Sequence, residues 1–392
     1  MKTLSILGST GSIGRSCLKV IAEFPDDFRV AGLAAGSNTV LLAEQIERFQ
    51  PQIVSVSNLA AKEALDRCLR QLHSRRQPRI VTGLDGLTEV AIHPETDLVV
   101  SAIVGVQGLL PTFAAIECGK TIALANKEIM VVAGDLVMAA AKRNRVEILP
   151  VDSEHNAIHQ CLRAGRREEV RQVILTASGG PFRSYSRAML DSVTPAMALN
   201  HPTWRMGPKV TIDSATLANK GYEVIEARWL YDLAYERIDV VLHPQSIVHA
   251  LGEYVDGSVK AQLAAPDMRL PIQNALLNER HLPGPAARLD LVSAGRLDFR
   301  AVEPGRYPCL EVVLGVARSN DLGAMIGLSA ADEVAVERFL AGDLEFLAIA
   351  DLLQRGAELG AHLARSDAPG LAEIFAIDAG VRTALRAVPA SA

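Results

Sequence analysis

The sequence contains few cysteines and few aromatic residues, and it has no excess of basic charge. Five of its 392 residues are cysteines, 4% are aromatic, and the formal net charge is −5. The cysteines are far apart and no CxxC occurs, which argues against a disulfide framework or a thiolate metal site and indicates a reducing, cytoplasmic setting. Without clustered Lys and Arg, nucleic-acid binding is not expected.

The sequence also lacks a hydrophobic run that we interpret as a membrane span. Residues 98–116 contain no charged side chain, but Gln107, two glycines and Pro111 interrupt them. Such breaks favour a strand, a turn and the start of a helix. The chain opens on an apolar strand near Leu4, so we expect neither a signal peptide nor membrane binding.

Strand-like and helical patterns alternate through the first 150 residues, which predicts an α/β fold with a Rossmann-like, doubly wound parallel sheet. Strand patterns at 252–255 and 258–263 flank Asp256-Gly257 and predict a hairpin in a central α+β domain. After a proline-rich segment the pattern is helical, and Ser329 and Asp332 have the spacing of a capping box at a helix start. We predict domains at 1–150, 151–280 and 309–392, the last an α-helical bundle, with a linker at 281–308.

A glycine-rich turn follows the first strand and precedes the first helix, with glycines at 8, 11 and 14. Glycines allow close backbone approach, and a helix N-terminus offers N–H groups to a dinucleotide pyrophosphate. The spacing is GxxGxxG rather than the commoner GxGxxG, and a turn without a ligand is the alternative. Gly36, Ser37 and Asn38 follow the second strand without a carboxylate, which favours NADP over NAD.

Two further polar groups follow predicted strands of the same sheet. Asn126, Lys127 and Glu128 stand where ligands bind in open α/β sheets, although a solvated helix start is the alternative. Asp152 and Glu154 flank Ser153, and converging carboxylates of this kind suit Mg²⁺ or Mn²⁺. Acids that favour a helix dipole are the alternative there.

A second acidic segment downstream adds phosphate-binding groups. Asn219 and Glu223 are four residues apart on a predicted helix and therefore share a face. Hydroxyl, amide and ammonium donors for a phosphate monoester are available at Ser178, Ser214, Asn219 and Lys220.

Histidines and a tryptophan occur in two less regular places. His201 and Trp204 lie in a loop bounded by prolines, which we interpret as a lid over a ligand; a loop fixed to its own domain by Trp204 is the alternative. His243 and His249 fall in a predicted strand over residues 240–251, and His243 is expected to be a core histidine with satisfied ring nitrogens.

Taken together, seven motifs resemble the 1-deoxy-D-xylulose 5-phosphate reductoisomerase family, in the family's order and over essentially the whole chain. The motifs are GSTGSIG at 8–14, ANKE at 125–128, VDSEHNAI at 151–158, SGGPF at 178–182, HPTWRMG at 201–207, DSATLANKGYEVIEARWL at 213–230 and HPQSIVHA at 243–250.

The resemblance implies a homodimeric enzyme that rearranges 1-deoxy-D-xylulose 5-phosphate and reduces the product with NADPH to 2-C-methyl-D-erythritol 4-phosphate, in the non-mevalonate isoprenoid pathway. It implies a divalent cation (Mg²⁺ or Mn²⁺, with Co²⁺ as a third candidate) on Asp152, Glu154 and Glu223. The implied NADPH residues are Thr10, Gly11, Ser12, Ile13, Gly36, Ser37, Asn38, Asn126, Glu128 and Gly207. The implied catalytic and substrate residues are Lys127, Ser153, Glu154, Ser178, His201, Trp204, Ser214, Asn219, Lys220 and Glu223.

Two departures from the family pattern, one lid residue without a role and two alternative functions stay open at this point. Ser37 replaces a basic residue found in some members, Asp332 replaces the usual Asn with no chemical consequence expected, and Arg205 of the lid has no assigned role. The alternatives are another NAD(P)-dependent oxidoreductase of the semialdehyde or homoserine dehydrogenase type and a non-catalytic NADP-binding sensor. Three carboxylates combined with phosphate donors argue against both.

Overall fold

The computed structural model describes residues 1–72, 77–278 and 280–387. The strands are, in chain order, β1 (Lys2–Leu7), β2 (Phe28–Ala34), β3 (Ile53–Val56), β4 (Arg79–Thr82), β5 (Leu98–Ser101), β6 (Thr121–Leu124), β7 (Ile148–Pro150), β8 (Val170–Ala177), β9 (Ile238–Leu242), β10 (Val248–Tyr254), β11 (Val259–Leu263) and β12 (Arg300–Ala301). The helices are α1 (Ser12–Glu23), α2 (Thr39–Phe49), α3 (Leu59–Gln71), α4 (Gly83–Ala91), α5 (Leu109–Glu117), α6 (Glu128–Asn144), α7 (Ser153–Leu162), α8 (Arg187–Leu190), α9 (Pro195–Ala198), α10 (Pro208–Thr216), α11 (Ala218–Tyr231), α12 (Arg269–Leu276), α13 (Leu291–Ala294), α14 (Pro308–Ser319), α15 (Leu322–Ala341), α16 (Ala348–Leu363) and α17 (Leu371–Arg386).

The chain divides into two compact units that interleave along the sequence. The first unit comprises Met1–Asn126, Leu136–Asn156 and Asp267–Ala287. The second comprises Lys127–Asp135, Ala157–Pro266 and Arg288–Ala392. Helix α6 passes from one unit to the other and has non-helical backbone angles at Ala133. The division into domains at 1–150, 151–280 and 309–392 with a linker at 281–308 remains a prediction from the sequence.

The first unit is built on a parallel sheet of seven strands in the order β4-β3-β2-β1-β5-β6-β7. Strand β1 is central and almost wholly buried, because the side chains on both of its faces are covered. The chain leaves β1 towards β2 and leaves β5 towards β6 on the opposite side, which makes the carboxyl ends of the neighbouring strands β1 and β5 a topological switch point. This sheet confirms the predicted doubly wound α/β fold.

The second unit contains a mixed five-stranded sheet in the order β11-β10-β8-β9-β12. Strands β10 and β11 form the predicted antiparallel hairpin, with Gly257 at φ 83° in its turn. The proline-rich segment contributes β12, which pairs with β9 through Arg300 and Leu242. A second sheet of α+β type is therefore confirmed.

The C-terminal residues are helical, as predicted, but one helix start was predicted wrongly. Helix α15 begins at Leu322, where the N-cap Asp321 accepts a hydrogen bond from the backbone N–H of Ala324 at 2.9 Å. Ser329 and Asp332 are buried in the middle of this helix. Their Ser-x-x-Asp spacing is also the spacing of two residues on one helix face, so the pattern did not distinguish a cap from a buried face.

All five cysteines are free thiols, as the absence of a disulfide pattern predicted. Burial raises the pKa of Cys17 to about 12. Among residues 1–72, 77–278 and 280–387, no helix is both long and apolar enough to cross a membrane.

Candidate active site

The glycine-rich turn of the first unit lies between the ends of β2 and β5. The backbone N–H groups of Gly8 and Ser9 donate to the carbonyl of Ala34 at 3.0 and 2.8 Å. A Cβ atom on Gly8 would lie 2.6 Å from the carbonyl oxygen of Ala102, and one on Gly14 would lie 2.3 Å from the carbonyl oxygen of Gly8. The turn is therefore too tight for side chains at these two positions.

Helix α1 begins immediately after this turn, at Ser12, with Gly11 as its N-cap. Glycine has no side-chain oxygen to bind the first N–H groups of the helix, so these groups are available to solvent or to a bound anion. Thr10 and Ile13 are partly buried, whereas Gly11 and Ser12 are exposed. Gln45 of α2 fixes the turn from behind, since its side-chain amide donates to the carbonyl of Ser9 at 2.9 Å.

Gly36, Ser37 and Asn38 are exposed at the end of β2. The side chain of Asn38 accepts a hydrogen bond from the N–H of Leu41 and so caps α2. The carbonyl of Gly36 accepts a hydrogen bond from the N–H of Ser57 at 3.3 Å. The three residues whose lack of a carboxylate favours NADP thus lie together in one exposed loop of the first unit.

Asn126 and the acidic triplet complete the predicted residues of the first unit. Asn126 is buried and donates its side-chain amide to the carbonyl of Gly105 at 2.8 Å. Asp152 accepts a hydrogen bond from the N–H of Glu154 at 3.2 Å, and the hydroxyl of Ser153 donates to the carboxylate of Glu154. The two carboxylates therefore stand at the start of α7, the position that the helix-dipole alternative requires.

In the second unit, α11 brings the predicted donors and Glu223 to one buried face. The ammonium of Lys127 lies 2.9 Å from Oδ1 of Asn219 and 3.1 Å from Oε1 of Glu223. Lys220 also forms an ion pair with Glu223. The amide of Asn219 donates to Oε1 of Glu223 at 2.5 Å, which confirms that residues four apart share this face. The Glu223 side chain is 1% exposed.

His201 joins the two predicted phosphate-binding serines. Its Nε2 lies 3.1 Å from the hydroxyl oxygen of Ser178 and 3.1 Å from that of Ser214. Its Nδ1 accepts backbone N–H bonds from Thr203 at 3.2 Å and Trp204 at 2.9 Å. Because Nδ1 is an acceptor, we assign the ring proton to Nε2, where it can be donated to a serine oxygen.

The lid residues contact their own unit. The ring centroids of Trp204 and His249 are 6.0 Å apart, and Arg205 is exposed. Gly207 is the N-cap of α10, with Pro208 as the first helical residue. These contacts agree with a fixed loop, and the movement of a lid stays a prediction.

Burial, followed by the nearby charge of Arg183, lowers the pKa of His201 to about 4. Because the unfolded chain binds a proton near pH 6.5 and the folded chain does not, folding stability should fall as the pH drops from about 6.5 to about 4. We expect His201→Asn to reduce this slope while leaving stability above pH 7 parallel to the wild type. Urea denaturation at a series of pH values measures it; identical slopes would contradict the assignment.

The predicted strand over residues 240–251 is interrupted. Strand β9 ends at Leu242 and β10 begins at Val248, because His243 Nε2 accepts the N–H of Ile247 and closes a turn. Nδ1 of His243 lies 2.8 Å from the carbonyl of Asp298, and the buried ring stacks on Phe299 with centroids 4.7 Å apart. His243 is therefore a core histidine, as predicted.

We did not predict from the sequence a buried cluster of charged side chains around Lys209. Its ammonium lies 2.7 Å from Asp213, 2.6 Å from Asp332 and 3.1 Å from Glu128. The i, i+4 spacing of Lys209 and Asp213 in α10 could have indicated their ion pair. Glu128 and Asp332 are distant in the sequence, and no local pattern could have placed them there.

Three family models match the chain. They are 1-deoxy-D-xylulose 5-phosphate reductoisomerase over residues 4–134, its C-terminal domain over residues 148–231, and the DXP reductoisomerase C-terminal domain over residues 263–384. A 1-deoxy-D-xylulose 5-phosphate reductoisomerase of Geobacillus kaustophilus is 50% identical over 389 residues, which cover 99% of this chain and all of the relative. One of Pelotomaculum thermopropionicum is 49% identical over 97% of both chains.

Solved structures give the same result. A DOX-P reductoisomerase in complex with NADPH, fosmidomycin and magnesium has a TM-score of 0.93 and 39% identity, covering 99% of this chain and 98% of its own. The Zymomonas mobilis enzyme in complex with NADPH has a TM-score of 0.89 and 38% identity over 98% of both chains. Because these matches extend over nearly the full length on both sides, the chain belongs to the 1-deoxy-D-xylulose 5-phosphate reductoisomerase family.

Proposed function

We propose that this protein converts 1-deoxy-D-xylulose 5-phosphate to 2-C-methyl-D-erythritol 4-phosphate in isoprenoid biosynthesis. The observation that supports it most directly is the family match along the whole chain, at about half identity to relatives of that name. The reaction has two parts, a rearrangement of the carbon skeleton and a reduction by NADPH. A dehydrogenase of another type and a non-catalytic NADP sensor are not retained, since neither would need the buried acid and phosphate donors of α11.

The glycine-rich turn fits NADPH. Its Gly8 and Gly14 leave no room for a Cβ, and Gly11 leaves the first N–H groups of α1 available to a pyrophosphate. We propose that Thr10 to Ile13, the loop of Gly36 to Asn38, Asn126, Glu128 and Gly207 hold the cofactor. The hydroxyl and amide of Ser37 and Asn38 replace the missing basic side chain at the 2′-phosphate.

The acidic residues fit a divalent cation. Asp152, Glu154 and Glu223 offer carboxylate oxygens, the hard ligands that Mg²⁺ and Mn²⁺ prefer, and we propose that these three hold the ion. When bound, the cation supplies a Lewis acid for the rearrangement and NADPH supplies the hydride for the reduction.

The other donors bind and orient the substrate. We propose that Ser178, Ser214, Asn219 and Lys220 hold the phosphate, because their partly buried hydroxyl and amide groups and the buried ammonium of Lys220 are the donors that such an anion needs. The Nε2–H of His201 donates to a serine oxygen, so the serine hydroxyl hydrogens can point to the phosphate instead of the ring. Binding at this end supplies the energy that orients the reacting carbons, near which we place Lys127 and Ser153.

Shielding from water is assigned to the lid. We propose that Trp204 covers the bound substrate and keeps water from the reactive enolate and aldehyde. Its backbone N–H donates to Nδ1 of His201, which links the lid directly to the phosphate-binding serines. A movement of Trp204 would therefore change the position of His201, which orients the hydroxyls of Ser178 and Ser214.

We also propose a domain division, a homodimer and a cytoplasmic location. We place NADPH binding in residues 1–150, catalysis and dimerisation in 151–280, and a helical cap in 309–392, joined by 281–308. We propose a homodimer, for which light scattering is the measurement. We place the protein in the cytoplasm, where its five free thiols would stay reduced.

The proposed function is tested by following NADPH absorbance in a mixture of the protein, 1-deoxy-D-xylulose 5-phosphate and Mg²⁺ or Mn²⁺. We expect oxidation of NADPH only when substrate and metal are both present, and its loss on addition of a chelator. Absence of oxidation with folded protein would overturn the proposal. A parallel reaction with NADH measures how far the loop at Ser37 discriminates the two cofactors.

A further inference from the structure

We propose that Lys209 is a positioning residue for NADPH binding, held in place by Asp332 of the C-terminal helices. Lys209 lies on α10, two residues after Gly207. Its described contacts include none of the predicted phosphate donors and none of the predicted metal ligands. The inference rests on the proposed function, because it takes Glu128 and Gly207 as part of the NADPH site.

The geometry places one ammonium among three carboxylates from three separate segments. Lys209 contacts Glu128 at the start of α6, Asp213 on its own helix and Asp332 in the middle of α15. Asp213 and Asp332 are buried, and their Oδ1 atoms have no hydrogen-bond partner within the described residues. The ring of Tyr222 lies 5.2 Å from the ammonium and closes one side of the cluster.

Electrostatic interactions within the cluster shift the pKa values of Lys209, Asp213 and Glu128. Although burial lowers the pKa of Lys209, the carboxylates of Asp213, Asp332 and Glu128 raise it well above its usual range. Burial and then the charge of Asp332 raise the pKa of Asp213, whereas Lys209 brings the pKa of Glu128 below its usual range despite burial. Lys209 therefore stays charged, and removing it would leave buried carboxylates without a counterion, which is costly.

The cluster connects the segments that supply site residues. Glu128 adjoins Lys127, whose ammonium contacts Asn219 and Glu223. Asp213 adjoins Ser214, which contacts His201. Fixing Glu128 to α10 through Lys209 therefore sets the start of α6 relative to the helix that Gly207 caps.

Asp332 gives the C-terminal helices a part in this arrangement. Its carboxylate lies 2.6 Å from the ammonium of Lys209, closer than Asp213 or Glu128. An acid at this position is a departure from the family pattern for which the sequence suggested no consequence. The structure instead gives it a defined partner, so the C-terminal region orients Lys209.

The test compares Lys209→Met and Asp332→Asn with the wild type by direct NADPH titration and by steady-state kinetics. We expect Lys209→Met to raise the NADPH Kd and KM by about tenfold, more than it lowers kcat. Asp332→Asn keeps the side-chain shape and should raise the NADPH KM by about threefold. Asp378→Asn is the matched control, because Asp378 is a buried acid of α17 paired with Arg382 at 2.7 Å.

The control should lower the thermal midpoint without changing the NADPH KM. An unchanged NADPH Kd in both Lys209→Met and Asp332→Asn would overturn the proposal, as would an equal rise in Asp378→Asn. If Lys209→Met does not fold, the comparison of Asp332→Asn with Asp378→Asn decides alone. NADPH titration needs no turnover, so a wild type that binds NADPH but does not consume substrate would refute the proposed function and leave this comparison intact.

Discussion

Glu223→Gln is expected to lower kcat by about a thousandfold at saturating Mg²⁺, the size of effect seen when a key electrostatic group of an active site is lost. The substitution keeps the length of the side chain and removes its charge. It therefore takes away one of the three proposed cation ligands and the anionic partner of Lys127 and Lys220. Steady-state kinetics across a range of Mg²⁺ and Mn²⁺ concentrations measures the loss.

Glu253→Gln is the matched control for this prediction. Glu253 is a mostly buried carboxylate of β10 that pairs with Arg171 at 2.5 Å, but none of its described partners is a predicted site residue. We expect normal kcat in the control and normal NADPH binding in both proteins. A Glu223→Gln protein that keeps wild-type activity after its metal has been stripped and restored would remove Glu223 from the cation site.

Gly14→Ala is expected to weaken NADPH binding by about a hundredfold, because the glycine-rich turn has no space for the added methyl group. The new Cβ would lie 2.3 Å from the carbonyl oxygen of Gly8 and 2.5 Å from Cα of Ser9. The turn must open to relieve this overlap, which moves the first N–H groups of α1. Fluorescence titration with NADPH measures the change in Kd directly.

Gly315→Ala provides the comparison at a helical glycine where space is free. Nothing lies within 4 Å of a Cβ built on Gly315, which stands in α14. Alanine there should leave NADPH binding unchanged and slightly increase stability. Equal NADPH affinity in Gly14→Ala and Gly315→Ala would show that the glycine-rich turn does not hold the cofactor.

Sequence patterns predicted the parts of the fold that depend on residues close to one another along the chain. The strand after Met1 is buried from Thr3 to Leu7, and the turn that follows needs glycine because the backbone around Gly8 and Gly14 has no space for a Cβ. The shared face of Asn219 and Glu223 follows from the pitch of one helix. In each case the residues that decide the structure are within a few positions of one another.

The parts that could not be predicted depend on contacts between distant segments. The order of the five-stranded sheet places β8 beside β9 in parallel and β12 at an edge, although β12 has only two residues. Lys209 meets Asp332 across more than a hundred residues, and the resulting buried cluster has no periodicity. The capping-box interpretation failed because Ser329 and Asp332 are both buried within α15, where the Asp332 carboxylate pairs with Lys209 of α10.

The proposed function is tested most directly by identifying the product formed with NADPH deuterated on the hydride-donating carbon. We expect 2-C-methyl-D-erythritol 4-phosphate, with a branched carbon skeleton and a deuterium from the cofactor, detected by NMR and mass spectrometry. This result requires both the rearrangement and the reduction by one protein. A straight-chain reduced sugar phosphate, or a branched product formed without deuterium transfer, would contradict it.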